Sequence, residues 1–296
     1  MPSAALGIGD ASVVIAQEIL MPTSARWLFP DEAEPFAILE RARPWLEPHF
    51  VNERGHLLQS IHTYVVRTRD LLVVIDTGVG NDKDRSGGNL EGWHMRSGPF
   101  LEELRAAGAD PEWVDVVVNT HMHGDHVGWN ARLVDGRWVP TFPRARYLFV
   151  RPEWEHWQRE AERTEAVRRL VDDSLQPVVD AGRAEVVPAD LRISDELWLE
   201  PSHGHSPGHV NVRLSSRGVD AVFVGDALHS PIQCAVPDVR PTFDRPESAT
   251  QARATRGAIL EQCAGSGMLM LGAHFTPPAA GRVRREGEAF RFEAAL

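Results

Sequence analysis

Val114-Asp-Val-Val-Val-Asn-Thr-His-Met-His-Gly-Asp-His126 is the stretch on which the reading of this chain turns. Its first part is a dense apolar run, and Trp113 to Asn119 predicts a buried strand. Thr120 comes next, and then His121, His123, Asp125 and His126 crowd one short loop. His121 and His123 are two residues apart, so an extended backbone sets both imidazoles on one side. Gly124 permits the turn that brings Asp125 and His126 round. Three imidazoles and a carboxylate match the donor set of a borderline divalent metal. Imidazoles this close would repel one another if protonated, which a bound cation avoids. Only 13 of the 296 residues are histidine, so three inside six positions argue against a chance surface loop.

Outward from this loop, Ala11 to Leu20 reads as a first strand. Residues 22–50, rich in proline and aromatics, read as an irregular insertion. Ile61 to Arg67 and Leu71 to Ile75 read as strands joined at Arg69-Asp70, ending in the sharp turn Asp76-Thr-Gly78. A Gly-rich loop spans Gly78 to Gly98. Pro99 to Ala107 predicts a helix closed by Gly108. Tyr147 to Val150 predicts a strand, and Pro152 opens one charged helix running to Leu170. Strands are expected at 196–199, 209–214, 221–224 and 268–271, with a helix over 247–264. Strand clusters with interspersed helices predict an α+β protein, a sheet sandwich covered by helices. No linker or repeat divides residues 1–296, which read as one domain.

The loop is similar to the H-x-H-x-D-H signature of the metallo-β-lactamase superfamily. That family places a later His in a Gly/Pro-rich turn, then an Asp after a strand, then a His near the end. His205 in PSHGHSPGH, Asp226 in VFVGDALH and His274 in MLMLGAHF match in order. The resemblance implies an αββα four-layer sandwich with two metal ions. It implies one ion on His121, His123 and His205, the other on Asp125, His126 and His274, and Asp226 bridging both. His203 is the rival to His205, and His209 matches a residue that supports the turn. Asp76 matches a position that braces the metal loop. Zinc is the first candidate, with iron, manganese or cobalt as alternatives. A hydroxide held between two such ions is a nucleophile at neutral pH, so no Ser or Cys nucleophile is required. Asp125 is the group placed to accept a proton.

HGDHVGWN and GDALHSPIQ look closest to the branch of N-acyl-homoserine lactone lactonases and methyl parathion hydrolase-like esterases. Hydrolysis of small esters or lactones is therefore the expected function. Phosphotriester or β-lactam cleavage is the alternative on the same site. The lactonases carry a Tyr three residues after the bridging Asp, and here that position is His229. His229 counts with Asp125 and Asp226 as a candidate catalytic residue, as substrate donor or as support to the ligands. An iron oxidoreductase or dioxygenase is the reading from another class. His123 stands where such diiron proteins usually show Glu, which weighs against it. Trp129 is a candidate pocket wall, with core packing as the alternative.

The net charge of -11 argues against nucleic-acid and membrane-surface partners and leaves a small-molecule substrate. Neither a basic leader nor a membrane-spanning apolar run is readable, so a cytoplasmic location is expected. Cys234 and Cys263 form no disulfide framework. The aromatic 22–50 segment is left between a pocket cap and a homodimer contact.

Overall fold

A computed structural model describes residues 4–86 and 91–295. The chain forms two compact units. One comprises the residues up to Glu18 together with Ile61–Leu191, and the other comprises Ile19–Ser60 together with Arg192 onward.

The first unit is built on a seven-stranded sheet in the order β1-β2-β3-β4-β5-β8-β9. Its strands are β1 (Leu6–Ile8), β2 (Ala11–Thr23), β3 (Leu57–Arg67), β4 (Leu72–Ile75), β5 (Val116–Val118), β8 (Arg146–Val150) and β9 (Ala184–Val187). The separate hairpin β6 (Ala131–Val134) and β7 (Arg137–Pro140) lies between β5 and β8 in sequence. β4, β5, β8 and β9 run parallel to one another. Strands such as LVVI and VVV are buried along their whole length, as apolar parallel strands covered on both faces must be. On one face Val65, Val74, Val117 and Phe149 pack with Phe100 and Leu104 of the helix Phe100–Ala106 and with Trp154 and Trp157 of the helix Arg151–Arg163. Trp129 belongs to this core: it stacks on Phe100 at 5.4 Å and is no open wall.

The second unit carries a six-stranded sheet with its strands in sequence order: β10 (Leu197–Pro201), β11 (Val210–Ser216), β12 (Val219–Phe223), β13 (Leu269–Leu271), β14 (Ala280–Glu286) and β15 (Ala289–Ala294). Only β12 and β13 are parallel, and the helix Ala249–Ser266 makes the crossover between them. Phe50, Phe275 and Phe292 meet edge to face at 5.2–6.3 Å and fill its core.

Three expectations change. Residues 22–50 are not irregular: Ala25–Leu28 and Pro35–Leu46 are helices. Ile38, Leu39, Ala42 and Leu46 supply a buried helical stripe that offsets the backbone hydrogen bond Pro44 cannot donate. The single helix expected from Pro152 to Leu170 breaks at Thr164, whose backbone is extended. The strand expected from Trp113 begins only at Val116, because Pro111–Trp113 forms a 3-10 turn. Part of the Gly-rich loop, residues 87–90, lies outside the described residues. Among the described residues no helix is long and apolar enough to cross a membrane.

Candidate metal centre

In the first unit β5 ends at Val118, and the loop it releases is fixed from beneath by Asp76. That residue comes directly after β4 with a positive φ of 56°, which swings its carboxylate under the loop. Asp76 accepts from the Thr120 backbone N–H at 2.8 Å, from the Thr120 hydroxyl, and from His126 Nδ1 at 2.9 Å. The last bond places the His126 proton on Nδ1 and leaves Nε2 as a lone-pair donor, 3.7 Å from Asp125. The backbones of the two loops also ladder together. Thr77 N–H donates to the His126 carbonyl, Trp129 N–H to Thr77 and Gly128 N–H to Gly78, each at 2.8 Å. That approach requires glycine: a Cβ on residue 128 would stand 1.9 Å from the Val79 carbonyl.

His121 Nε2 and His123 Nδ1 converge to 2.8 Å with their rings nearly perpendicular. A third contact holds this part of the loop. Glu153, fully buried, accepts from the Met122 backbone N–H at 3.1 Å and from Trp157 Nε1 at 2.7 Å, and the Trp157 ring meets His123 edge-on.

In the second unit Asp226 comes shortly after β12 and gathers imidazoles. His274 Nε2 lies 3.0 Å from its Oδ1, and His205 Nε2 and His229 Nε2 lie 3.4 and 3.2 Å from its Oδ2. The far nitrogens are anchored: His274 Nδ1 on the Ser60 carbonyl at 3.0 Å and His205 Nδ1 on Asp244 at 3.1 Å. His209 accepts the Asp226 backbone N–H at Nε2, so its own proton is on Nδ1, directed to the Ser202 hydroxyl at 2.7 Å. It supports the turn and Asp226 together. His203 contributes its carbonyl to Thr255, while His205 is the ring aimed at Asp226. His229 is fully buried and stacks on Phe243 at 4.8 Å and on His274 at 5.8 Å. Burial pushes its ring below the ordinary histidine range, against the opposing pull of Asp226.

Each unit therefore offers what a divalent cation needs: ring nitrogens of fixed tautomer beside carboxylate oxygens. The ligand atoms of His121 and His123, of Asp125 and His126, and of His205 and Asp226 lie within 4.8 Å of one another as pairs. The donor chemistry fits metal ions, four of its imidazoles having the second nitrogen tied to oxygen: His121 to Thr120, His126 to Asp76, His205 to Asp244 and His274 to Ser60.

Residues 56–260 match the profile of the metallo-beta-lactamase superfamily. The chain belongs to that superfamily. An N-acyl homoserine lactonase of Bacillus cereus is 24% identical over 172 residues, 55% of this chain and 61% of the relative. One of Bacillus thuringiensis is 23% identical over 180 residues, 57% and 64%. The chain thus spans about three fifths of the length of these curated relatives. Among solved structures, the hydrolase AbOPH of the beta lactamase superfamily superposes with a TM-score of 0.80 at 23% identity, over 99% of this chain and 97% of that one. AidC, a dizinc quorum-quenching lactonase in complex with a product, gives 0.77 at 18% identity over the same shares. The α+β fold expected from the loop and its partners is the metallo-β-lactamase fold.

Asp244, Arg256 and Glu153 went unread in the sequence. Arg256 had a signal: it falls on the stripe Ala252, Ile259, Leu260 and Cys263 that the helix Ala249–Ser266 buries. A charge in such a stripe has a buried partner to meet. Both cysteines are buried and their thiols pushed up, Cys263 to about 12, so neither is poised as a nucleophile.

Proposed function

We propose that this chain is a metal-dependent hydrolase of small esters or lactones working with two divalent ions, zinc first. In this reading His121, His123 and His205 hold one ion, Asp125, His126 and His274 hold the other, and Asp226 bridges them. The observation that carries it is the convergence, in each unit, of imidazoles beside carboxylates, four of them with the opposite nitrogen tied to an oxygen. The order of these residues in a superfamily member and the lactonase relatives support it further.

Bound there, the ion pair supplies a hydroxide nucleophile at neutral pH and a Lewis acid for the carbonyl oxygen of the substrate. The residues do the rest. Asp76 and Glu153 hold the His-rich loop at its two ends, so its donors are set before substrate arrives. Asp125, the less buried of the two carboxylates, accepts the proton released on attack. His229 acts on Asp226 and not on the substrate. Its ring is sealed from solvent and its Nε2 lies 3.2 Å from Oδ2. The tyrosine donor of the lactonases therefore has no counterpart in His229, and the carbonyl is polarised without it.

The test is metal analysis of the purified protein with a matched panel of lactone, aryl ester, phosphotriester and β-lactam substrates. Two metal equivalents and cleavage of lactone or ester are expected. Asp226→Ala should fold, lose metal and drop activity by at least about a thousandfold, the scale of losing a central catalytic group. Full activity in that variant would sink the bridging assignment, and turnover of the phosphotriester alone would move the substrate class.

A further inference from the structure

His205 is held by a carboxylate that lies far along the chain. Asp244 Oδ1 meets His205 Nδ1 at 3.1 Å, and Asp244 Oδ2 receives Arg256 Nη2 at 2.7 Å. All three side chains are sealed, each about 1% exposed. Arg256 uses its remaining donors on backbone. Nε reaches the Ala227 carbonyl at 3.0 Å, and Nη1 reaches the carbonyls of Pro237 at 2.8 Å and Val239 at 3.2 Å. Ala227 is the residue immediately after Asp226. One guanidinium thus fixes the carboxylate behind His205 and the backbone beyond Asp226.

The helix that carries Arg256 is locked to the His205 turn at two further points. Thr255 Oγ1 donates to the His203 carbonyl at 2.6 Å. Gly204 lies so near the helix that a Cβ there would stand 2.4 Å from Ala252 Cα. The turn, the helix and the segment 227–244 form one frame, which sets Asp226 against one side of the His205 ring and Asp244 against the other.

We propose that Asp244 and Arg256 are positioning residues of the metal centre: Asp244 fixes the tautomer and aim of His205, and Arg256 fixes Asp244 and the backbone beside Asp226. The physics is that of a histidine donating to a carboxylate with one nitrogen so that the other is a better and better-aimed ligand. Arg256 holds Asp244 as a full carboxylate inside the protein, where it would otherwise be costly. The inference rests on the reading of His205 as a metal ligand.

The experiment strips the full-length protein of metal and titrates zinc, and separately cobalt, against a chromophoric chelator. It compares wild type, Asp244→Asn and His205→Ala, and records the melting midpoint of each apoprotein. Asp244→Asn keeps the shape and one acceptor but loses the charge. It should weaken one of the two metal equivalents about 10- to 100-fold, alter the cobalt visible spectrum, and leave the apo midpoint nearly unmoved. His205→Ala should lose that same equivalent. Should Arg256, left without its partner, lower the apo midpoint, Asp244→Asn with Arg256→Gln removes the stranded charge and carries the same expectation. Wild-type metal affinity in both Asp244 variants, with His205→Ala losing an equivalent, overturns the positioning role and spares the ligand. Wild-type affinity in His205→Ala overturns the ligand reading itself.

Discussion

A protonated amine sealed inside a protein gives up its hydration, and Lys83 is in that position. Its Nζ is fully buried and donates to the carbonyls of Ala131 at 2.9 Å and Asp173 at 2.5 Å, with the Trp138 ring 3.7 Å away. The Asp173 carboxylate is already occupied by both guanidinium nitrogens of Arg85, at 2.7 and 2.9 Å. Burial pushes the Lys83 amine down to about 7, against the pull of Asp173. The folded chain therefore binds fewer protons here than the unfolded chain between pH 7 and the ordinary lysine value. Stability contributed by this site rises with pH across that window, by at most about 1.4 kcal/mol per pH unit, and the penalty is full below pH 7. Chemical denaturation of wild type and Lys83→Met from pH 6.5 to 9.5 tests this. The stability of wild type relative to the variant should climb with pH, and a flat difference would refute it. The candidate ligands of the His-rich loop were readable because chemistry and spacing coincide within six positions. Asp244 was not, because nothing near Pro241-Thr-Phe-Asp244 says that a histidine 39 residues earlier will meet it.

At the scale of elements, the loops after β4 and β5 lie so close that their carbonyls and amides pair directly, and Gly128 is the point of closest approach. Gly128→Ala forces the Val79 and Gly128 backbones apart and breaks the bond from Gly128 N–H to Gly78. A loss of about 3 kcal/mol in unfolding free energy is expected, at the upper end of ordinary overpacking because backbone must move. A denaturation midpoint within about 0.5 kcal/mol of wild type would show that the ladder yields more easily than its geometry indicates. Period and punctuation placed β3, β4, the helix Phe100–Ala106 and the helix Ala249–Ser266 within a few residues. They failed where local and tertiary demands part. The stripe Ile38, Leu39, Ala42 and Leu46 outweighs Pro44, and Thr164 breaks an otherwise continuous helical composition. Leu170, Val171 and Leu175, beyond that break, join the core with Trp157. β14 and β15 escaped because the run of arginines in Arg282–Arg285 hides the one buried alternate, Val283.

For the whole molecule, the two ions of the proposed reading would bind only the folded chain and add to its stability by mass action. At a free concentration a hundred times the dissociation constant each contributes about 2.7 kcal/mol. For a chain of 296 residues that is roughly 4 °C in melting midpoint per ion. Calorimetry with zinc and with a strong chelator should show the midpoint fall on chelation and return on adding zinc. A midpoint indifferent to both would argue that no structural share of the fold rests on metal. The superfamily could be read from the sequence because the His-rich loop motif and the later His205, Asp226 and His274 follow one another in its order. The partner of each sheet edge and the packing of residues 22–50 could not, since they depend on which apolar faces meet. Lys83 has one more consequence. It is the sole lysine of the sequence, and the fold encloses it. Succinimide dyes, amine cross-linkers and aldehyde supports consequently meet no lysine amine on the native surface. Attachment at that side chain becomes a report that the chain has opened.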